Sequence, residues 1–408
     1  MTRGNIIPRS LLVFLMVSPL PLAGLAYLFV GTFEQELTRT VMTHLASIAD
    51  KKQDQIEAYL SERLADAQLL ANMPLTNQAL DTLSALFDGS IDSVQYRNEI
   101  RKYRNDFVRF KDSSGYYDLL LIDKLGNVIF SILHEDDLGT NLNSGFLRDT
   151  ALAEAQRGAL ALLDTQVTPV ALYQPSGNKP AVFIVTPLLR DGRPIGTLAF
   201  QLDLDRLTQV TADNTGLGET GETVLAQRED GHALYVGPLS RISEAAFRYR
   251  VPLTETASPM RSALSGEVGR GVTQDYVGVD IVSVWRYLPS LGWGMVVKMD
   301  VDEALAAVQR LRQLTWGALA LLFVLSSIAA LWFGRALILP IRRIIDVAGV
   351  IAGGDIDRRV PVEGWQELKE LAGSFNRMTD RLAEDQLLLE LRVEHRTAEL
   401  ERANRRLQ

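Results

Sequence analysis

The chain has no cysteine and only four histidines in 408 residues. The first absence excludes disulfides and thiolate metal sites. With so few histidines, no metal-binding constellation remains. Any exported part must therefore stand on its core alone. Basic and acidic residues number 42 and 50, a net charge of −8, and that mild acidity argues against a nucleic-acid partner. No grouping of His, Asp and Ser suggests hydrolysis, and no other catalytic set or cofactor signal is present.

One phosphate-binding signal is present but lacks its context. "TGLGETGET" places Gly216, Gly218 and Gly221 in G-x-G-x-x-G spacing. A dinucleotide loop needs a strand before the first glycine and a helix after the last, so that the pyrophosphate meets the helix N-terminus. Here "DRLTQVTADN" reads as helix before the glycines and "ETVLAQ" as strand after them. Glu219 and Glu222 bring negative charge to where phosphates would lie, and no lysine follows Gly221 as a Walker loop requires. The glycines are expected to turn the chain between two modules.

Charge is missing altogether from two stretches, Ser10 to Phe33 and Gln313 to Gly334. A helix needs ~20 apolar residues to cross the hydrocarbon layer, and both stretches reach that length. The first outruns the ~7–15 apolar residues of a signal peptide, so an uncleaved anchor is expected despite Pro19 and Pro21. Arg3 and Arg9 precede the first span, and Arg335, Arg342 and Arg343 follow the second; Arg310 and Arg312 oppose this bias. The balance puts both termini in the cytoplasm.

Between the spans, Leu37, Val41, Leu45, Ile48, Ile56, Tyr59, Leu60 and Leu64 recur at helical spacing. This predicts one long helix from Glu34 to about Asn72, or two helices broken near Asp50. Beyond Tyr116 come hairpins: one turns at Lys124 to Asn127, another at Asp191-Gly192. A helix is predicted over Leu147 to Arg157. The order then repeats in "ETVLAQREDGHALYV" and "DIVSVWRYLPSLGWGMVVKMDV". The closing strands, FQLDLDRL and VKMDVDEAL, resemble one another, which favours two stacked modules of one kind.

"GYYDLLLIDKLGNVIFS", "EDDLGTNL", "GLGETGET" and "LGWGMVVKMDVDEA" resemble the double Cache family over about residues 34–305. That resemblance implies an extracytoplasmic sensor with two PAS-like modules and a small-molecule ligand in the membrane-distal one. Amino-acid-binding members carry an Arg-x-Trp-Tyr cluster and an Asp on the last distal strand. This chain has "SGFLRDTAL" instead, with Phe146 and Arg148, and Gln201 stands at the Asp position with Asp203 two residues on. A zwitterion is therefore not expected. Arg148 suits an anion if it points inward, and lies in solvent if it does not. Tyr117, Tyr173 and Phe183 are candidates for the pocket wall, or for plain core.

After the second span, Ile341, Ile344, Ala348 and Ile351 form one heptad stripe, and Leu368, Leu371, Phe375, Met378 and Leu382 another. Pro340, Gly354 in the connector, Glu367 and "FNRM" resemble a HAMP domain closely. The resemblance implies a parallel four-helix bundle made by a homodimer, with Pro340, Ala348, Gly354, Glu367 and Phe375 as relay positions. The tail, with Val393, Leu400 and Leu407 seven apart, resembles the linker helix of sensor histidine kinases. His395 lacks the Glu and Pro of a phosphoacceptor box.

The expected organisation is α+β: cytoplasmic 1–9, span 10–33, sensor 34–312 (modules about 75–204 and 205–300), span 313–334, HAMP 335–386 and coiled-coil linker 387–408. Such a chain is the input half of a multi-pass receptor in a bacterial inner membrane, in contact with the lipid bilayer and with a response regulator downstream of a kinase output. A chemotaxis receptor, a cyclase input module and a non-signalling solute-binding membrane protein are the rivals. The topology is tested by fusing alkaline phosphatase after residue 200 and after Arg343. The first fusion should be active outside the membrane and the second inactive; the reverse pattern would refute the orientation.

Overall fold

The computed structural model describes residues 19–407, with side chains from 20 to 398. Residues 10–18 of the first apolar run lie outside the described residues. The chain divides into two compact units, Glu34–Ala306 and a second made of Met1–Phe33 with Ala307–Gln408.

Helix α1 runs unbroken from Pro19 to Ala71, with no interruption at Asp50. Within the first unit its buried positions are Leu45, Ala49, Lys52, Ile56, Leu60, Arg63, Ala67 and Leu70, spaced by threes and fours as one face of a helix requires. Two charges in that stripe have specific work. Lys52 Nζ donates to the carbonyls of Val210 and Asp213 at 2.7 and 2.6 Å. It thereby caps helix α5 (Leu204–Ala212) at the end where carbonyls are left over. Arg63 lies over the Tyr59 and Tyr116 rings, 5.4 and 5.1 Å from their centroids, and donates to the Ser114 carbonyl.

Helices α2 (Pro74–Leu86) and α3 (Val94–Ser114) follow α1. Gly115, at φ 72°, ends α3 and turns the chain into strand β1 (Tyr116–Asp123). The strands β2 (Val128–Ser131), β3 (Gln166–Val167), β6 (Phe183–Arg190) and β7 (Arg193–Leu202) join β1 in an antiparallel sheet of order β2-β1-β7-β6-β3. A small hairpin, β4 (Ala171–Tyr173) and β5 (Lys179–Ala181), stands apart. The helix predicted at Leu147 to Arg157 is α4, Ala151–Leu162. It starts later because the Thr150 hydroxyl accepts the Ala153 N–H as its N-cap.

The second sheet holds β8 (Glu222–Glu229), β9 (His232–Tyr235), β10 (Arg250–Pro252), β11 (Gly269–Gln274), β12 (Asp280–Leu288) and β13 (Trp293–Asp300), in the order β10-β9-β8-β13-β12-β11. Helix α6 (Ser258–Leu264) covers it. Apart from β10, the two orders match strand for strand. Each sheet turns one face to a common core. Leu119, Phe200 and Ile184 from the first sheet, and Leu225, Val297 and Val282 from the second, belong to one buried cluster with Leu45, Ile56 and Leu60 of α1. The opposite faces have separate small cores of their own.

In the second unit, α8 (Ala306–Phe333) passes through a π turn at Gly334–Ile338 into α9 (Leu339–Ala352). Ala306–Ala352 is the one helical stretch among the described residues long and apolar enough to cross a membrane. Pro340 is at the start of α9, just past the π turn, where the helical hydrogen-bond pattern is already altered. Gly354, at φ 104°, opens the connector to α10 (Gln366–Leu407), whose first turn holds Glu367. The connector is anchored by buried Val360: its N–H and carbonyl both bond the Asn376 side chain at 2.9 Å.

The shared core predicts a sharp contrast on α1. Leu60→Ala should lower unfolding stability by about 2–5 kcal/mol, whereas Leu69→Ala, at a position 56% exposed, should change it by less than about 0.5 kcal/mol. Thermal unfolding of the two variants decides it.

Candidate ligand-binding site

Strand alternation sends Leu119 and Leu121 to the common core, so Asp118, Leu120 and Ile122 face the other way. The strand register then makes a row on that outer face. Asp118 on β1 lies opposite Gln201 on β7, and Gln201 lies opposite Phe183 on β6. Helix α4 and the segment after β2 cover this face. The Tyr173 ring meets Phe183 edge to face, with centroids 4.9 Å apart.

Three carboxylates belong to this site. Asp118 is buried but well satisfied: it accepts the N–H groups of Leu119, Ile132 and Leu133 at 2.7, 3.0 and 3.2 Å and the Ser131 hydroxyl at 2.7 Å. Burial outweighs these donors and pushes its carboxyl up to about 6. Glu135 accepts the hydroxyls of Tyr117 at 2.8 Å and Ser176 at 2.6 Å, and Ser176 in turn is 3.1 Å from Gln201 Nε2. Asp137, 1% exposed, accepts the Tyr173 hydroxyl at 2.9 Å on Oδ2, while its Oδ1 is buried with no partner. Burial pushes Asp137 up to about 7 against the pull of that hydroxyl, and the charges of Asp118 and Glu135 add to the rise. The same burial, helped by Glu135, raises the Tyr117 phenol to about 12.

Of the residues read from sequence, Tyr117, Tyr173, Phe183 and Gln201 converge here. Phe146 does not; it is 53% exposed in the turn before α4. Arg148 is exposed too, and its hydrogen bonds are made by its backbone: its N–H donates to the Gly145 carbonyl at 3.5 Å and its carbonyl accepts from Arg157 at 3.3 Å. Asp203 lies past the end of β7 and N-caps α5, accepting the Asp205 N–H at 3.0 Å. An anion held by Arg148 is thus not what this face is built for, because acidic groups surround the row. Sequence reading missed Asp118, Glu135, Asp137 and Ser176. The signal for Asp118 was an acid inside an otherwise apolar strand; "HEDDLG" reads as ordinary loop.

The glycine loop proves to be a junction. Glu303, on the short helix α7 (Val301–Ala304), accepts the N–H groups of Glu219 and Thr220, both at 2.7 Å. Hydrogen bonding to Thr220 holds its carboxyl below the usual range. Gly218, at φ 75°, leaves room that a Cβ would take from the Glu303 carboxylate. His44 of α1 donates from Nε2 to the Gly216 carbonyl at 2.9 Å. The loop therefore touches α1 on one side and, on the other, the helix that leads to α8.

The chain joins an α+β unit to a helical pair, and known families match both parts. Residues 33–308 match the Cache domain and residues 332–384 the HAMP domain. The chain belongs to the Cache domain family, and its Cache and HAMP domains make it a signalling receptor. It is similar to the nitrate/nitrite sensor protein NarX of Escherichia coli, 25% identical over 239 residues, 51% of this chain and 40% of that protein. It is also similar to the methyl-accepting chemotaxis protein McpA of Pseudomonas putida, 34% identical over 241 residues, 53% of this chain and 33% of that one. The chain thus spans two fifths or less of these relatives. The sensor domain of the histidine kinase DctB of V. cholerae aligns over 64% of this chain and 98% of its own, at 17% identity and a TM-score of 0.45.

The burial of Asp137 should make the stability of the sensor depend on pH. Its folded value of about 7 lies above the ordinary 3.8, so the folded state holds the proton more tightly. Its contribution is full below pH ~4 and is lost as pH rises through about 7, with a slope of at most ~1.4 kcal/mol per pH unit. Ligand-free protein should melt at progressively lower temperature over that range. Asp118, pushed up to about 6, adds a smaller loss over the lower part of that range, so Asp137→Asn should reduce the slope without abolishing it; an unchanged slope would show that Asp137 is ionised and satisfied throughout.

Proposed function

We propose that this chain is the input half of a dimeric transmembrane receptor with two Cache modules. The first module, distal to the membrane, binds a small molecule on the face that carries Asp118, Gln201 and Phe183. The observation that carries the reading is the order of parts in one chain: a Cache domain, an apolar helix at Ala306–Ala352, and a HAMP domain. The apolar run at 10–33 supplies the second span, both termini lie in the cytoplasm, and the sensor lies outside a bacterial inner membrane.

The relay runs through the glycine loop. Movement of the first module against α1 reaches Glu303 by way of His44 and residues 216–220, and Glu303 stands three residues before α8. In the HAMP domain, Leu371 and Met378 are each 52% exposed and Leu382 is 47% exposed in the single chain. Such an apolar stripe on a helix is covered by pairing with a second copy. Pro340, Ala348, Gly354, Glu367 and Phe375 are the relay positions of that bundle. The favoured output is a histidine kinase acting on a response regulator, supported by NarX and by the 75-residue likeness to the signal transduction histidine-protein kinase BaeS of Escherichia coli. The chemotaxis relatives support a chemoreceptor as the second reading. Nitrate, the anion in the name of one relative, does not suit a face with three carboxylates.

The bundle is tested with cysteines, which the chain otherwise lacks. Leu371→Cys and Met378→Cys, oxidised in membranes, should give disulfide-linked dimers, while Arg377→Cys on the opposite face should not. Failure of both stripe positions to crosslink would refute the parallel dimer.

A further inference from the structure

The matching strand orders pair particular residues of the two modules. In the first sheet, Asp118, Gln201 and Phe183 lie side by side on β1, β7 and β6. In the second, Glu222, Lys298 and Ser283 lie side by side on the corresponding β8, β13 and β12. The likeness of FQLDLDRL to VKMDVDEAL aligns Gln201 with Lys298 in the same way. A carboxylate therefore stands at one end of both rows. The middle position holds a neutral amide in the first module and an ammonium in the second.

The second module shows what such a row does when it supplies its own cation. Lys298 is 1% exposed. Its Nζ donates to Asp275 Oδ2 at 2.7 Å, lies 3.1 Å from Glu222 Oε2, and stands over the Tyr276 ring at 4.5 Å from the centroid. Though buried, Asp275 is held below the ordinary carboxylate range by Lys298 and the N–H groups of Val277 and Val279. The Arg241 guanidinium also pairs with Asp275, at 2.6 Å, so the ammonium of Lys298 shares this carboxylate with a second, partly exposed cation.

The first module has the carboxylates and the ring but not the cation. Among the described residues, none of Asp118, Glu135 and Asp137 forms an ion pair, and the side-chain donors to Glu135 and Asp137 are the hydroxyls of Tyr117, Ser176 and Tyr173. Asp137 Oδ1 is buried and unpartnered. A buried carboxylate without a counter-charge is costly unless protonated or paired. No group of three or more ligating side chains among the described residues could hold a metal ion. An amino acid would need a cation for its carboxylate, and Arg148 is turned to solvent.

We propose that the ligand of the first module is an organic ammonium ion without a carboxylate, its ammonium taking the place that Lys298 Nζ fills in the second module. This rests on the reading of that face as the receptor's ligand site. The ammonium bonds Asp137 Oδ1 and Glu135, displacing hydroxyl donors, and the Tyr173 and Phe183 rings receive its apolar body.

The test uses the full chain in lipid nanodiscs, with alkylammonium ions from methyl to n-butyl, butyrate, and zwitterionic 2-aminobutyrate as probes, and EDTA present. Millimolar n-butylammonium should raise the melting temperature, and the other two should not. Asp137→Asn should weaken the effect at least about tenfold, as loss of a charged hydrogen bond does, without lowering the melting temperature of free protein. Gln201→Lys, which gives the first module its own ammonium, should abolish the response and raise the melting temperature of free protein. If no alkylammonium ion shifts the melting temperature, the assignment is overturned. If butyrate or 2-aminobutyrate shifts it and Asp137→Asn or Gln201→Lys alters that shift, the face is right and the ligand charge is wrong. If n-butylammonium acts equally on the parent and both variants, the ligand lies elsewhere and the reading of this face fails.

Discussion

Everything in the sensor depends on the buried stripe of α1. A pleated sheet has two faces, and each of these sheets spends one of them on Leu45, Ala49, Ile56, Leu60, Ala67 and Leu70 or on the helices packed beside them. That leaves each sheet a second face, and strand alternation decides what appears there. Asp118, Gln201 and Phe183 reach the outer face of the first sheet because Leu119, Phe200 and Ile184 must reach the inner one. A one-residue slip on β1 would turn Asp118 into the common core and Leu119 to the face that α4 covers. The chemistry of the site is thus fixed by apolar residues that never touch it.

The buried charges of α1 answer to the same constraint. Lys52 and Arg63 interrupt an apolar stripe, yet each donates to carbonyls at the end of a neighbouring helix, and Arg63 also pairs with Glu62 and Asp66. Lys52 closes α5, which lies between the two sheets in sequence; Arg63 closes α3. The helix that supplies the core also ends two of its neighbours.

Local pattern made the long helix, the four main hairpins, the apolar helix and the HAMP pair legible in the sequence, because each is written in periods of two, 3.5 or 3.6. The repeat was legible in FQLDLDRL and VKMDVDEAL, and the sheet orders agree with it. Half of the candidate site was legible for the same reason: Tyr173, Phe183 and Gln201 sit on or beside regular strands. Asp137 and Glu135 were not, because what buries them is a covering loop set by contacts distant in sequence. Arg148 stayed open between pocket and solvent in the sequence because an arginine near a pocket motif carries no mark of which way it points; in the structure it is exposed. The Gly216–Gly221 loop lies between a helix and a strand, as the sequence predicts, but its role as a meeting point needed Glu303, which lies more than eighty residues away.

The π turn at Gly334–Ile338 has its own consequence. A π turn winds one more residue into a turn than an α turn does, and an α-helix advances roughly 100° of rotation per residue. The Leu339–Ala352 stripe is therefore set out of phase with the apolar stretch before it by about that angle. Rewinding these five residues as α-helix would swing Ile344 and Ala348 to a different side of the helix axis without shifting a single residue of α8. The transition between the apolar helix and the HAMP stripe is a point of helical phase, where a change of winding is read as rotation.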